Sequence, residues 1–324
     1  MAPAVPWKGT RVKVLQYATY GGPEVLHIAE RPRPEPGPAD VMVRVHAATV
    51  VGGDCKTRAG LLQDHFKVKF PKIPGRYGSG TIAALGAGNM AHRYQIGDAV
   101  VFATLHTDSG TAAEYVCVAA DKIALKPANL SHIETAAMIQ GGVSAYSCLI
   151  EAGRVARNEK ILIHGAAGSV GSACVELARH LDLRITATCR AIDCDHVRSL
   201  GADHVIAFDH TDFSESVRDQ DVVIDLLGGD VHRRSYETLR PDGRLIYLNA
   251  APIENRGSLF GVHVRNAVVG NGGPLLDAVC RLAEQGVFAP RVGKMLPLED
   301  GAKAHGLIDS GVIKRGRIVL QLIR

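Results

Sequence analysis

This 324-residue sequence predicts an α/β protein: a doubly wound parallel sheet joined to a discontinuous, β-rich domain. Three observations predict it. The first part of the chain carries short alternating apolar runs punctuated by glycine and proline. Residues 160–248 alternate strand-like with helix-like runs. A last strand-like run, Gly316 to Leu322, closes the chain with no neighbouring run to pair with. The length also exceeds what one hydrophobic core usually organises, so two domains are expected.

The β-rich part begins with the alternating run Val12 to Gln16. The turn-rich run Arg31 to Pro38 precedes a strand over Val41–Val45. Gly75 to Gly88 holds five glycines around Thr81–Leu85. Gly97-Asp98 turns into Ala99–Phe102, and Glu114 to Val118 is a further short strand. Ser131 with Glu134 three residues later reads as a capping box opening a helix through Met138, and a second helical run lies near Ser144 to Ala152. Strands then follow at Lys160–His164, Ile185–Thr188, His204–Phe208, Asp221–Asp225 and Arg244–Leu248. Helices fall between them, from Ser169 to Leu181, up to about Leu200, briefly before Asp221, and from Val231 to Leu239. Strands separated by helices of this length make a parallel sheet covered on both faces. Regularity stops near His263, leaving two amphipathic helices, Leu275–Gln285 and Glu299–Ile308. The lone terminal strand needs a sheet, so it is expected to return to the N-terminal β domain. The expected division is therefore 1–127, 128–262 and 263–324, with the last segment rejoining the first.

Composition excludes several classes. Hydrophobic residues make up 46%, yet no stretch offers the roughly eighteen uncharged apolar residues of a membrane helix. Met1 to Thr10 holds Trp7 and Lys8 but no apolar signal core, so a cytoplasmic protein is expected. A net charge of +4 with scattered basic residues does not mark a nucleic-acid binder. The densest basic run, Lys314-Arg315-Gly316-Arg317, reads as a solvated turn. The seven cysteines are odd in number and none is spaced Cys-x-x-Cys, which argues against a disulfide framework or a zinc knuckle. They read mostly as core thiols.

The strongest motif is Gly165-Ala166-Ala167-Gly168-Ser169-Val170-Gly171, after a buried strand and opening a helix. Gly168 lets backbone approach a diphosphate, Gly171 lets the helix pack on the strand, and the helix N-terminus favours phosphate charge. Ala166 stands where the usual G-x-G-x-x-G fingerprint has its first glycine. The expected cofactor set is Gly165, Ala167, Gly168, Ser169, Val170 and Gly171, with Thr188 and Arg190 on the second strand and Asn249 after the strand ending at Leu248. An acid at the end of that second strand suits NAD, whereas a base suits the 2′-phosphate of NADP. Here the strand ends in Thr188-Cys189-Arg190, so NADPH is expected. Asp193 comes late and reads as a cap for the next helix, and a merely solvated Arg190 is the competing reading.

At this point the chain resembles the medium-chain dehydrogenase/reductase superfamily, in its quinone oxidoreductase branch. The resemblance rests on Tyr20-Gly21-Gly22-Pro23-Glu24-Val25-Leu26, Arg33 to Pro38, Val43-Arg44-Val45, Gly97-Asp98-Ala99-Val100 and Gly110 to Val116. It continues through the loop Gly165–Gly171, Leu200-Gly201-Ala202-Asp203, Asp225 to Gly229 and Leu239 to Arg244. It implies a GroES-like catalytic domain around a Rossmann domain, with nicotinamide held between them and Ser144 near its carboxamide. A homodimer or homotetramer is implied as well, acting on a small-molecule quinone or enone.

Zinc-dependent relatives carry Cys and Gly-His-Glu at the catalytic metal. Aligned on Asp54, those positions are Val51 and Gly75-Arg76-Tyr77, and the four-cysteine lobe is missing. Val and Arg offer zinc neither a thiolate nor an imidazole, so no metal is expected. His92, His106 and His132 lack ligand spacing and read as surface residues. A conjugated carbonyl still needs a donor or cation near its oxygen. The branch often has Asn at the position of Val51 and Asp at that of Tyr77, and the loop Leu61–His65 lacks the Tyr common in enoyl-thioester reductases. Tyr77, Lys56 and Arg58 are the remaining candidates, each with a structural salt bridge or packed side chain as its competing reading. The expected activity is NADPH-dependent reduction of a quinone or α,β-unsaturated carbonyl. The alternatives are an enoyl-thioester reductase of lipid or polyketide synthesis and a non-catalytic, crystallin-like NADPH-binding protein.

Overall fold

The computed structural model describes residues 10–88, 93–248, 250–313 and 315–323. Its elements run β1 (Arg11–Gln16), β2 (His27–Pro32), β3 (Asp40–Val50), α1 (Gly52–Arg58), β4 (Tyr77–Leu85), β5 (Ala99–Ala103), β6 (Tyr115–Ala119), β7 (Ile123–Leu125) and α2 (His132–Tyr146). There follow β8 (Lys160–His164), α3 (Ser169–His180), β9 (Arg184–Cys189), α4 (Cys194–Ser199), β10 (His204–Ala207), α5 (Phe213–Ser216), β11 (Gln220–Asp225), α6 (Gly229–Ser235) and β12 (Leu239–Tyr247). The chain ends with α7 (Gly257–Phe260), β13 (His263–Asn266), α8 (Gly273–Glu284), β14 (Val292–Pro297), α9 (Gly301–Asp309) and β15 (Arg317–Gln321). Two compact units result. One takes the chain up to Ile139 with Asn271–Glu284 and Pro290 onward, and the other takes Gln140–Gly270 with Gln285–Ala289.

In the first unit a sheet runs β14-β15-β3-β4-β5-β7, with β6 also on β3. The closing strand β15 lies antiparallel to β3, Ile318 opposite Val50, so the lone terminal run finds its sheet as the sequence predicts. Val43, Val45, Ile82, Val100, Phe102 and Val118 fill one core, and Leu15, Val50, Cys55, Leu298, Ala304 and Ile318 fill another. Strand β4 starts four residues earlier than the run Thr81–Leu85 suggests. Its glycines are strand residues rather than turns, because a Cβ on Gly80 would stand 2.1 Å from the Arg44 carbonyl oxygen.

The second unit holds the parallel sheet β10-β9-β8-β11-β12-β13. The order reverses between β8 and β11, which creates the crevice where such sheets take ligands. Leu162, Val223, Leu245, Phe213 and Tyr236 form its core. The strand alternation runs one strand past the expected stop at His263, because β13 is an edge strand, only partly buried, and carries no apolar run. The two helical runs around Ser144 are one continuous helix: α2 passes directly into a wider π-type turn over Ser147–Ala152. Its capping box forms as expected, Ser131 N–H donating to Glu134 at 2.8 Å and Glu134 N–H to Ser131 Oγ at 3.2 Å. Gly141 does not break the helix. A Cβ there would lie 2.9 Å from the Ser169 carbonyl oxygen, so glycine permits close approach to the start of α3.

Candidate cofactor site and polar cluster

The glycine loop sits at the carboxyl edge of β8. Gly165 has φ +70°, a conformation that side chains resist, and turns the chain out of the strand. Ala166 N–H donates to the Thr188 carbonyl at 3.0 Å, Gly168 N–H to the Gly165 carbonyl at 3.1 Å, and Ser172 N–H to the Gly168 carbonyl at 2.8 Å. Gly168 is exposed and stands at the N-cap of α3; Gly165, Ala167, Ser169 and Val170 are partly exposed, while Gly171 is buried. A Cβ on Gly171 would lie 2.2 Å from the Gly165 carbonyl oxygen and 2.7 Å from Ala166 Cα. A Cβ on Gly168 would meet only the Gly165 carbonyl oxygen, at 3.4 Å. The two glycines therefore differ in kind: Gly171 serves packing, and Gly168 keeps an open surface clear.

Beside this loop lies a cavity of about 410 Å³ lined by His164, Thr188, Phe208–Phe213, Leu227, Val231 and Arg234. These residues sit at or just beyond the carboxyl ends of β8, β9, β10 and β11, or on α6. Leu227 packs against Gly165. The floor is fixed by buried hydrogen bonds: the His164 ring meets Thr188 Oγ1 at 3.0 Å and Ser235 Oγ at 3.1 Å. Below it, Asp225 accepts the N–H groups of Leu227 and Gly228, both at 2.9 Å, and meets His232 Nδ1 at 2.8 Å. His232 Nε2 lies 3.1 Å from Tyr236 Oη, which donates to the Glu254 carbonyl at 2.8 Å. This network ties the loops after β11 and β12 together. Sequence reading missed it, because His232 and Tyr236 look like ordinary helix residues until their spacing is folded onto Asp225. The cavity sets an apolar side of Phe208, Phe213, Leu227 and Val231 against polar His164, Thr188, Asp209, His210, Thr211, Asp212 and Arg234, a mixed lining that could hold an adenosine. The open loop beside it fits a diphosphate.

Arg190 does not line the cavity. It is 47% exposed, two residues beyond Thr188, and its guanidinium lies 3.5 Å from Asp193. Asp193 stands at the N-cap of α4 without a side-chain cap bond and faces Arg190 instead, which corrects the capping expectation. Ser144 is buried, within 3.4 Å of Gln140 Nε2. Asn249 lies outside the described residues.

The first unit holds a second polar cluster: Asp54, Thr57, Lys72, Arg76 and His106 around a small void, with Tyr17 behind. Thr57 Oγ1 donates to the Gly53 carbonyl at 2.7 Å, so the same oxygen accepts from His106 Nδ1 at 3.2 Å. That leaves His106 Nε2 as acceptor toward Arg76 Nη1, 3.5 Å away, while Arg76 Nε donates to the Thr104 carbonyl at 3.3 Å. Burial lowers His106 to about 4 and Lys72 to about 8, and raises Asp54 to about 6. Phe66 stacks on the His106 ring at 5.1 Å. His106 is thus a packed member of this cluster, and His132 stacks on His46 at 4.2 Å while bonding Ser79 Oγ at 2.7 Å. Both correct the surface reading, which rested on ligand spacing alone; His92 lies outside the described residues.

Of the residues singled out for carbonyl activation, Tyr77 is 2% exposed, and burial raises its hydroxyl. Arg58 is also 2% exposed, donating to the Gly21 carbonyl at 3.1 Å and to Asp309 at 2.7 Å. Its geometry is that of a brace between α1 and α9. Lys56 is exposed on α1. They do not converge on one point, whereas Arg76, Lys72 and His106 do. Among the described residues, no group of three or more His, Cys, Asp or Glu side chains is arranged to hold a metal. No helix among them is long and apolar enough to cross a membrane.

Residues 37–128 match the family described as "Alcohol dehydrogenase GroES-like domain", and residues 200–320 match "Zinc-binding dehydrogenase". The chain is similar to the chloroplastic quinone-oxidoreductase homolog of Spinacia oleracea, 32% identical over 60% of each protein, so it spans about three-fifths of that relative. It is also similar to the chloroplast envelope quinone oxidoreductase homolog of Arabidopsis thaliana, 29% identical over 75% of this chain and 77% of the other. Among solved structures, the quinone oxidoreductase from Coxiella burnetii superposes with a TM-score of 0.84 at 26% identity, covering 97% of this chain and 100% of that one.

Proposed function

The chain belongs to the medium-chain dehydrogenase/reductase superfamily, in its quinone oxidoreductase branch, and from that premise we propose that it is an NADPH-dependent reductase of quinones or α,β-unsaturated carbonyls working without a metal. The observation that carries the proposal is the Gly165–Gly168 turn, open to solvent at Gly168, beside the 410 Å³ cavity at the carboxyl edge of the parallel sheet. NADPH, when bound, supplies the hydride. The backbone of Gly165 to Gly171 holds its diphosphate, the cavity takes its adenosine, and Arg190 meets its 2′-phosphate. Arg76 is the cation best suited to polarise an acceptor oxygen, since the Thr104 carbonyl and His106 fix its plane. Lys72, lowered by burial to about 8, is a proton source close to neutral pH. Val51 and Arg76 support the metal-free reading, because they present an alkyl group and a cation where metal-dependent relatives need ligands.

The test follows NADPH absorbance against a panel of quinones, enones and crotonyl-type thioesters, with and without exhaustive chelation. Turnover on quinones or enones that survives chelation is expected. A stoichiometric bound zinc whose removal ends turnover overturns the metal-free reading. Tight NADPH binding with no turnover on any acceptor overturns the reductase.

The Arg190→Ala variant tests the choice of cofactor. A guanidinium binds a phosphate through paired, charge-assisted hydrogen bonds, typically worth about 1.5–3 kcal/mol. Asp193 already draws on that guanidinium, so the loss for NADPH is expected near the low end, roughly ten- to thirtyfold in Kd. The Kd of NADH should stay unchanged at the same ionic strength. An equal loss for both cofactors reduces Arg190 to a support of its loop.

A further inference from the structure

Two thiols flank Arg190. Cys189 ends β9 and Cys194 begins α4, with their sulfurs 3.7 Å apart. Sulfurs at that distance are in van der Waals contact, and a disulfide requires about 2.05 Å. The intervening residues form a short solvent-facing 3-10 turn, Ala191–Asp193: Arg190 is half exposed, Ile192 is 79% exposed, and Ala191 N–H donates to Asp209 at 2.9 Å. Its closure rests on the Arg190 carbonyl, which accepts Asp193 N–H at 2.8 Å and the Cys194 thiol at 3.6 Å. A second thiol pair, Cys148 with Cys174, is fully buried in helical segments and lacks any such loop.

We propose that Cys189 and Cys194 form a reversible disulfide that bridges the Arg190 loop and weakens binding of the phosphorylated cofactor. The proposal rests on the cofactor reading above for its effect, though not for the bond itself. The chemistry balances with a two-electron oxidant. Both S–H bonds break, one S–S bond forms, and two electrons and two protons pass to the oxidant. A peroxide is reduced to water, or a quinone to its hydroquinone. Both thiols are buried, Cys189 at 2% and Cys194 at 9%, so oxidation proceeds through opening of the exposed loop and is slower than at a surface thiol.

The effect on the cofactor follows from what Cys189 is attached to. Drawing its sulfur toward α4 shifts the end of β9. The preceding residue, Thr188, lines the cavity, and its carbonyl anchors Ala166 of the glycine loop. The following residue is Arg190 itself. Oxidation also removes the thiol donor from the Arg190 carbonyl. Diphosphate cradle and 2′-phosphate contact are disturbed together.

The folded protein is titrated with diamide, and its thiols are then counted and mapped. Trypsin cuts after Arg184, Arg190 and Arg198, so the disulfide appears as peptide 185–190 linked to peptide 191–198. Two of the seven thiols should be lost, in that peptide pair. The Kd of NADPH should rise roughly tenfold and return on treatment with dithiothreitol. Cys194→Ser, which keeps a hydroxyl donor for the Arg190 carbonyl, should bind NADPH normally and be insensitive to diamide. Persistence of all seven thiols, linkage elsewhere, or an unchanged Kd with the 185–190/191–198 link complete overturns the proposal. If the reduced protein fails to bind NADPH at all, the cofactor reading fails, and the peptide link still reports on the disulfide separately.

Discussion

Gly168→Val should leave the protein folded and weaken NADPH binding by at least about a hundredfold, or roughly 2.7 kcal/mol, while Gly171→Val should fail to fold. The contrast comes from what each side chain meets. Gly168 has φ −72° and ψ 163°, a region valine adopts readily, and its Cβ has only one neighbour, at an ordinary 3.4 Å. The new methyl groups project from an exposed turn into the surface assigned to the diphosphate. Gly171 is buried, and its Cβ would drive into backbone at 2.2 Å and 2.7 Å. Backbone in a strand-to-helix turn cannot swing aside as a flexible side chain can. Overpacking typically costs about 1–3 kcal/mol and more when backbone must move. Circular dichroism and thermal melts report the fold, and fluorescence titration reports NADPH. Gly168→Val binding NADPH as tightly as wild type would show the cofactor loop to be misplaced. A stable Gly171→Val would show that helix and strand are not so tightly packed.

The same two glycines show how far the sequence can be read. The turn was legible because a buried strand, two glycines and a helix start recur at fixed spacing, and that spacing is local. The terminal strand was legible because an apolar run ending in Ile318-Val319-Leu320 needs a sheet. Edge strand β13 was not, because half-exposed residues carry no apolar period. The glycine-rich start of β4 was not legible as strand, because the contact of Gly80 with the Arg44 carbonyl is a tertiary fact. The polar cluster was least legible. Lys72 and His106 lie far from Asp54 in sequence, and neither belongs to a motif; only the fold gathers them around one void. Arg58 misled for the opposite reason, since its place near Val51 suggested chemistry while its true partner, Asp309, lies at the other end of the chain.

Acid should destabilise this protein strongly between about pH 6.5 and 4, and histidines rather than carboxylates should cause it. Burial holds His106 and His132 at about 4 and His305 at about 3, and keeps buried His164 well below its ordinary value. Neighbouring cations reinforce this: Arg76 and Lys72 at His106, Lys126 at His132, Arg58 at His305 and Arg234 at His164. Each histidine is neutral when folded and takes up a proton near 6.5 once unfolded. The unfolded chain therefore binds more protons throughout this window, and stability falls as pH falls through it. Asp54 opposes the trend. Burial raises its folded value to about 6 from 3.8, so the stability it contributes is present below 3.8 and lost as pH rises through 6. One opposing proton against four leaves a net uptake of up to about three near pH 5, a slope on the order of 1.4 kcal/mol per pH unit for each. Melting temperature measured from pH 7.5 to 4.5 should drop steeply below 6.5. Asp54→Asn should steepen the decline by removing the opposing term, and His305→Gln should flatten it. A melting temperature that stays level from pH 7 to 5, or an Asp54→Asn profile shallower than wild type, would reverse the assignment of these protons.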